Sequence, residues 1–306
     1  MDSGTTCSFG NAAALSTTVT CDDDGVFTLT LSANDGLHPD VVKTTTLTLA
    51  NVAPVVTITA PAAGANVTRG TPVTFTAPFT DAGKHDTHTC TIDFGDGSPA
   101  ATGTVAQGAG SGTCTASHAY TGVGAHTATV KVTDDDGGIG TATVKVVTFV
   151  NAEAWALSAS GPVTVAKTPL AGCPPSSDKT TASVNVLGLA SVNALHAQCA
   201  LDVDTGRTNA SATVSGASLL GGLISVTDIE TSCVANEQGM SGSSRVGKIN
   251  GQVIGTAPVT IGIPGVATVY ANQTVAGPNG QLAQYAVRVV TLLGQEIVLS
   301  GCRMGF

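Results

Sequence analysis

Charged side chains are scarce in this sequence. Asp, Glu, Lys and Arg together make up 11% of the 306 residues, and aromatic residues make up 4%. Thr, Ser, Ala, Val and 37 glycines fill much of the chain instead. Because β-branched residues favour strands and glycine favours turns, this composition predicts strands rather than helices. Disorder is disfavoured, since 42% of the residues are hydrophobic and disordered chains lack the apolar residues that build a core.

Positive charge is also in short supply. Twelve Lys and Arg residues stand against 21 Asp and Glu residues, which gives a formal net charge of −9. A chain of this charge repels phosphate backbones and anionic lipid surfaces. We therefore expect neither a nucleic acid nor a membrane surface among its partners.

Long apolar runs and a signal sequence are absent as well. The sequence has no stretch of 18 apolar residues that would predict a membrane-spanning helix. Its first residues, Met1-Asp-Ser-Gly, are polar, whereas a secretory signal has an apolar core region. We expect no membrane span, and a fragment or mature form if the protein is extracellular.

None of the eight cysteines forms a Cys-x-x-Cys pair, which disfavours a zinc ribbon or a redox motif. Their number is even, and they are distributed as two, two and four over residues 1–50, 51–150 and 151–306. This pattern predicts disulfides and an oxidising compartment; the alternative is a set of buried free thiols. The eight are Cys7, Cys21, Cys90, Cys114, Cys173, Cys199, Cys233 and Cys302.

Two parts of the chain repeat one another. An alternating run that starts at Val26 resembles the run that starts at Ala125. In both copies a second run follows, and it leads to Asn51 in the first copy and to Asn151 in the second, one hundred residues later. Self-similarity at a fixed spacing indicates a repeated structural unit. We predict that residues 1–50 retain only the C-terminal half of this unit and that residues 51–150 are a complete copy.

The complete copy carries five motifs, Asn51-Val-Ala-Pro, Phe79-Thr-Asp, Asp93-Phe-Gly-Asp-Gly, His118-Ala-Tyr and Val132-Thr-Asp-Asp-Asp-Gly. On these motifs, residues 51–150 resemble a PKD domain, the immunoglobulin-like repeat named after polycystic kidney disease. The resemblance implies a β-sandwich for this segment and the second half of another for residues 1–50. Cys21 occupies the position aligned with Tyr120 and departs from the family pattern, which suggests a substituted disulfide.

The strand that begins near Thr89 shows how such a sandwich is built. Its alternation places Cys90, Ile92 and Phe94 on one face, and Gly95-Asp-Gly supplies the positive φ angles of a turn. Cys114 lies on one face of a later strand together with Tyr120. If the two strands face each other, Cys90 can bridge Cys114.

Residues 151–306 contain strand-like runs separated by Gly, Pro and Asn and no sustained helical spacing. The nearest helical candidate is the short mixed run Ser191–Ala197. The pattern predicts a second all-β module, either a sandwich or a small barrel. The strand-like runs are Ala182–Leu187, Ala212–Val214, Leu223–Thr227, Val259–Ile261, Ala267–Tyr270, Ala286–Leu292 and Glu296–Leu299.

The same module has a recognisable style of sequence in 212–224, Thr231-Ser-Cys, Gly242-Ser-Ser, Gly265-Val-Ala-Thr-Val and Val290-Thr-Leu-Leu-Gly-Gln-Glu-Ile. In these stretches it resembles the choice-of-anchor P type of bacterial surface domain. The resemblance implies a location on a bacterial cell surface, while the mode of attachment stays open.

Calcium is the strongest chemical hypothesis. Carboxylates and carbonyls are the ligands that a hard cation prefers, and the PKD resemblance implies ligands at Asn51, Asp81 and Asp134, together with Asp136. The alternative is that these are solvated turn residues.

A zinc site in Lys84-His85-Asp86-Thr87-His88 is disfavoured, because an extended chain places residues i and i+3 on opposite faces. We interpret those five as loop residues.

No constellation typical of an enzyme is found, and we expect a non-catalytic protein. The sequence favours an extracellular structural or adhesive surface protein with PKD-like spacers.

Residues 1–50 offer exposed strand edges, which recruit other strands. Self-association into a filament or lattice is therefore predicted, and the alternative is a repeat cut from a longer array. The alternative from a different class of function is a carbohydrate-binding accessory region of a secreted hydrolase, and glycan binding that depends on Trp155 or Tyr120 would favour it.

Overall fold

Alternation of apolar and polar residues produces strands along almost the whole chain. The computed structural model describes residues 4–306, so Met1, Asp2 and Ser3 of the polar N-terminal sequence lie outside the described residues. Within that range the protein is all-β, and two single-turn 3₁₀ helices, Leu220–Gly222 and Pro278–Gly280, are its helical segments. No helix among residues 4–306 is long and apolar enough to cross a membrane.

The chain divides into two compact units. The first comprises Met1–Ala65, Pro72–Ala119 and His126–Val146, and the second comprises Asn66–Thr71, Tyr120–Ala125 and Val147–Phe306. The predicted domain boundaries, after residues 50 and 150, stay a prediction.

The strands up to residue 150 form four sheets. Strand β1 pairs with β2, β3 pairs with β4, and the other two sheets have the orders β10-β11-β7-β5 and β6-β13-β12-β8-β9. The strands are β1 (Cys7–Phe9), β2 (Val19–Cys21), β3 (Gly25–Ala33), β4 (Val41–Leu49), β5 (Val55–Val56), β6 (Ala65–Thr68), β7 (Pro72–Thr80), β8 (His88–Asp93), β9 (Ala101–Thr102), β10 (Thr104–Gly108), β11 (Ser111–Ala119), β12 (Gly124–Asp134) and β13 (Ile139–Phe149).

The predicted faces of β8 are confirmed. Cys90 and Ile92 of β8 and the following Phe94 are almost fully buried, while Thr89 and Thr91 are exposed. The disulfide between Cys90 and Cys114 joins β8 to β11 and so links one sheet to the other. Gly95 and Gly97 have the positive φ angles that the turn requires, +72° and +81°.

The strands after residue 150 form a sandwich of two six-stranded sheets rather than a single barrel sheet. Their orders are β15-β14-β25-β24-β23-β22 and β16-β17-β18-β19-β20-β21. These strands are β14 (Ala152–Ser160), β15 (Val165–Cys173), β16 (Ser177–Val186), β17 (Ala190–Leu201), β18 (Thr208–Leu219), β19 (Ile224–Asn236), β20 (Gly239–Ile249), β21 (Gln252–Gly255), β22 (Val259–Ile263), β23 (Ala267–Ala276), β24 (Leu282–Thr291) and β25 (Glu296–Met304).

Two disulfides link these sheets, Cys173 with Cys199 and Cys233 with Cys302. The pairing that the sequence left open is therefore settled. With Cys7–Cys21 and Cys90–Cys114 they complete the predicted disulfide set, and none of the eight cysteines is free.

A buried polar layer divides the core of the second unit. Along β25, Leu299 belongs to one apolar cluster and Cys302 to another, with the buried Ser300 between them. The Ser300 hydroxyl donates a hydrogen bond to Ala212 O at 2.7 Å and accepts one from the Thr231 hydroxyl at 2.5 Å. These partners allow a hydroxyl to sit inside an apolar sandwich at low cost.

The segment Ser191–Ala197, the nearest helical candidate in the sequence, is part of strand β17. Its register against β18 is interrupted at Ala194, which has a φ of +45°. This irregularity breaks the period of two that identifies a strand in a sequence.

Candidate functional site

The acidic turn after β12 is tied to the start of the PKD-like segment. Asp134, the last residue of β12, is 4% exposed. Its carboxylate accepts hydrogen bonds from Asn51 Nδ2, at 3.1 Å to each oxygen, and from Gly138 N at 2.6 Å. Both oxygens of Asp134 therefore have proton donors within the protein.

Asp81 follows β7 and also has an internal partner. Its Oδ2 lies 2.9 Å from His88 Nε2, and both side chains are fully buried. Gln107 donates its side-chain amide to His88 Nδ1 at 2.8 Å, so Nε2 carries the proton and donates it to Asp81. His88 is the first residue of β8, and the interpretation of residues 84–88 as simple loop residues is wrong for this buried histidine.

Asp86 lies between Asp81 and Asp134 in sequence, and the sequence analysis interpreted it as a loop residue rather than as a ligand. It is 2% exposed, and both of its carboxylate oxygens are buried without a hydrogen-bond partner among the described residues. Its backbone carbonyl accepts a hydrogen bond from Gln107 Nε2 at 2.8 Å, which fixes the residue in the interior. A buried carboxylate without a partner is costly and therefore needs an explanation.

Several acidic groups surround Asp86. Potential ligand atoms lie within 4.8 Å of one another in three groups, and Asp86 belongs to all of them. Two of its neighbours, Asp23 and Asp24, come from the turn before β3. The groups are Asp81 with Asp86 and His88, Asp23 with Asp24 and Asp86, and Asp86 with Asp135 and Asp136.

The electrostatics of this acidic cluster oppose ionisation of its centre. Burial, together with Asp23, Asp81 and Asp134, raises the pKa of Asp86 to about 8. Burial also raises the pKa of Asp24, with further contributions from Asp136 and Asp23.

Asp135 behaves differently. Burial opposes its ionisation, but the N–H of Thr87 at 2.9 Å and the Thr87 hydroxyl at 3.1 Å lower its pKa on balance. Asp135 is thus held at the edge of the cluster by its own donors.

The cluster has the chemistry of a site for a hard cation. Its donors are carboxylate oxygens, which calcium binds at 2.3–2.6 Å with six to eight ligands. Within each group the potential ligand atoms lie within 4.8 Å of one another, so one ion can contact all of them. These acidic groups can hold a metal ion.

The structure distributes the four sequence-predicted ligands over two places. Asn51 and Asp134 contact each other, while Asp81, which also contacts His88, and Asp136 each lie in a group with Asp86. Calcium at these four residues stays a prediction. The sequence signal for the missed residues is Asp22-Asp-Asp-Gly, which has the same pattern as Asp134-Asp-Asp-Gly.

The two aromatic residues that the carbohydrate hypothesis invoked are in the interior. Trp155 is 2% exposed and Tyr120 is 1% exposed. Neither presents a ring face to solvent on which a sugar can stack.

Comparisons with known proteins bear on part of the chain. Residues 51–148 match the family model of the PKD domain. No curated protein matches the chain.

The solved structures that match are remote from this chain in sequence and have low TM-scores. A structure of protocadherin gamma B2 extracellular cadherin domains 3–6 has 11% identity and a TM-score of 0.28, and the match covers 90% of this chain and 82% of that one. For domains 1–5 of the same protein the values are 12% and 0.28, with 79% of this chain and 52% of that one covered, so the chain spans about half its length.

A third structure, of carbohydrate-binding modules from the β-sandwich superfamily, has 13% identity and a TM-score of 0.26, with 84% of this chain and 94% of that one covered. None of these likenesses carries a functional argument.

Proposed function

Because residues 51–148 form a PKD domain, we propose that the chain is an extracellular structural or adhesive protein that associates with further copies of itself through residues 1–50. The four disulfides support an extracellular location, since such bonds persist in oxidising compartments. PKD domains are typically non-catalytic, and we propose no enzymatic activity. A bacterial cell surface is the setting we propose, with residues 151–306 as a second β-sandwich module.

The observation that carries self-association is the isolated ribbon of β3 and β4. The two strands form a sheet of their own, so each is an edge strand of that sheet. In the PKD domain, β12 lies between β13 and β8, whereas the matching strand β3 has a neighbour on one side. Unpaired strand edges recruit further strands.

The ribbon also exposes apolar side chains. Leu31 and Val41 are 68% and 63% exposed, whereas Val130, which aligns with Leu31 in the repeat, is fully buried. Leu15 and Phe9 of the β1–β2 hairpin add to the same exposed region, where a groove of about 420 Å³ is lined by Phe9, Leu15, Leu29 and Leu31. A second copy that pairs its β3 with this edge would continue both the sheet and its apolar face.

Light scattering on the purified chain at 1–100 µM, combined with electron microscopy, tests this proposal. We expect oligomers that dissociate in the variant Leu31→Lys, because a charge on the apolar face opposes burial. Leu187→Lys is the matched control, since Leu187 is fully exposed in a turn of the second unit. A strict monomer over the whole range, or equal association of both variants, would contradict the proposal.

Calcium belongs to the proposal as the cofactor that stiffens the spacer. It is supported by the acidic cluster around Asp86 and by the proximity of Asp136 to it. Calorimetric titration of the metal-stripped chain with CaCl2 is the test, and absence of both heat and a shift in melting temperature would remove calcium from the function.

A glycan is the second candidate partner, and one surface favours it. A groove of about 670 Å³ crosses the outer face of the β16–β21 sheet, lined in part by His196, Asp228, Glu230 and Arg245. Such polar groups bind sugar hydroxyls. Glycan-array binding that is lost in Arg245→Ala would support this role in place of the aromatic contacts.

A further inference from the structure

We propose that Asp23, Asp24, Asp86 and Asp136 together bind one calcium ion, which ties the half-repeat of residues 1–50 to the PKD domain. The proposal rests on the calcium part of the proposed function and names a ligand set different from Asn51, Asp81 and Asp134. It assigns the ion a role as a clamp between two consecutive repeats.

Unpartnered buried oxygen atoms are the first argument. Oδ1 and Oδ2 of Asp86 and Oδ2 of Asp23 are buried and have no hydrogen-bond donor among residues 4–306. The two residues are only 2% and 6% exposed. Buried carboxylates are normally paired or bound to metal. These three oxygen atoms therefore mark the position where a cation would find ligands that no donor engages.

The alternative ligands are already engaged. Asn51 and Gly138 donate hydrogen bonds to Asp134, and His88 donates to Asp81. A cation there would have to displace these donors, whereas at Asp86 it would meet oxygens without donors. The centre of the site is therefore at Asp86 and not at the start of the PKD domain.

The shape of the loop around Asp86 supports the same position. Gly83 packs so closely against the carboxylate that a Cβ at residue 83 would lie 2.5 Å from Asp86 Cγ. A cavity of about 220 Å³ is lined by Gly83, Asp23 and Asp24. It gives an ion and its remaining water ligands access to the site.

The ligands come from two separate parts of the first unit. Asp23 and Asp24 belong to the turn between β2 and β3, while Asp86 precedes β8 and Asp136 follows β12. Beside them, Lys84 N donates to Asp22 O at 3.0 Å and His85 Nε2 lies 3.5 Å from Asp22 Oδ2. These contacts involve exposed or half-exposed groups, and the ion would add a buried link between the two repeats.

The test uses the full chain, stripped of metal with EDTA and titrated with CaCl2 in a calorimeter. We expect one ion per chain and a rise in melting temperature. Asp23→Asn and Asp86→Asn should each weaken binding at least tenfold. Asp204→Asn, which removes the same charge from an exposed turn of the second unit, is the matched control and should bind as the wild type does.

A second measurement separates a lost site from a lost fold. Without calcium, Asp86→Asn should melt at a higher temperature than the wild type, because the amide removes an acidic group whose ionisation the folded protein opposes and the unfolded chain permits. Hydrogen exchange at residues 22–24 should slow on calcium addition in the wild type alone. Wild-type binding in Asp23→Asn and Asp86→Asn, with loss in Asp134→Asn, would overturn this ligand set and leave the proposed calcium function standing. Absence of calcium binding by the wild type would overturn both, while the light-scattering result stands separately.

Discussion

Asn51 donates its side-chain amide to both carboxylate oxygens of Asp134, 83 residues further along the chain, at 3.1 Å each. The contact joins the start of the PKD domain to its last acidic turn. Because Asp134 is 4% exposed, its charge depends on donors inside the protein. Both residues were predicted as calcium ligands, and the structure pairs them with each other.

The first prediction concerns this pair. Asn51→Ala should lower the free energy of unfolding by about 2 kcal/mol, since a buried carboxylate loses the amide group that contacts both of its oxygens. Urea unfolding in EDTA measures the loss. Calcium affinity should stay within about threefold of the wild type if the ion sits at Asp86. A variant as stable as the wild type would show that the Asn51 contact contributes nothing.

The second prediction is a pH dependence. Burial opposes ionisation of Asp96, but donors from Ser98 and from His118 Nε2, 2.7 Å away, outweigh it and lower its pKa to about 2 from 3.8. In the unfolded chain the group binds its proton at higher pH, so its contribution is full above about pH 4 and is lost as the pH falls towards 2. That contribution is about 2 kcal/mol.

Calorimetry of the wild type and Asp96→Asn between pH 6 and pH 2.5 checks this prediction. The two melting temperatures should differ most at neutral pH and converge as the solution becomes acidic. A difference that stays constant over this range would mean that Asp96 is not a source of the acid sensitivity.

The third prediction concerns the disulfide between the sheets of the PKD domain. Cys90 and Cys114 are separated by 24 residues and are almost fully buried. Replacing both with Ala should lower the free energy of unfolding by about 3 kcal/mol, because the unfolded chain regains its conformational freedom. The double variant of Cys7 and Cys21 is the comparison, and because its loop of 14 residues is not much shorter than the loop of 24 residues, its loss should be only slightly smaller. A loss below about 1 kcal/mol in the variant of Cys90 and Cys114 would contradict the prediction.

Local pattern was enough to predict much of the PKD domain. The faces of β8 and the Cys90–Cys114 bond follow from alternation and from the resemblance, and the structure confirms both. The repeat was also predictable from local sequence similarity. Strand β4 ends at Leu49, and its counterpart β13 ends at Phe149, one hundred residues later.

Burial of Asp86 was not predictable in the same way. It depends on contacts with Asp23 and Asp24, which lie more than sixty residues earlier in the chain, and no local pattern predicts such contacts. Strand β17 was missed for another reason. The irregularity at Ala194 shifts its alternation, and alternating faces are the signal by which a strand is recognised in a sequence.

The last prediction concerns a second buried polar group of the second unit. Asn272 of β23 is 3% exposed and has a φ of +55°. Its Nδ2 donates to Gly255 O at 3.0 Å and Ala257 O at 2.9 Å, and its Oδ1 accepts the Ser244 hydroxyl at 2.9 Å. The side chain therefore joins β23 to β20, to the end of β21 and to the segment that follows β21.

Asn272→Ala should lower the free energy of unfolding by about 3–5 kcal/mol, since three buried hydrogen bonds are lost and Ala tolerates a positive φ poorly. Asn272→Gly loses the same bonds but relieves the backbone, so it should be about 1 kcal/mol more stable than the Ala variant. Urea unfolding followed by Trp155 fluorescence reports on this unit. If the Gly variant were the less stable one, the cavity left by the side chain, and not backbone strain, would dominate the stability change at this position.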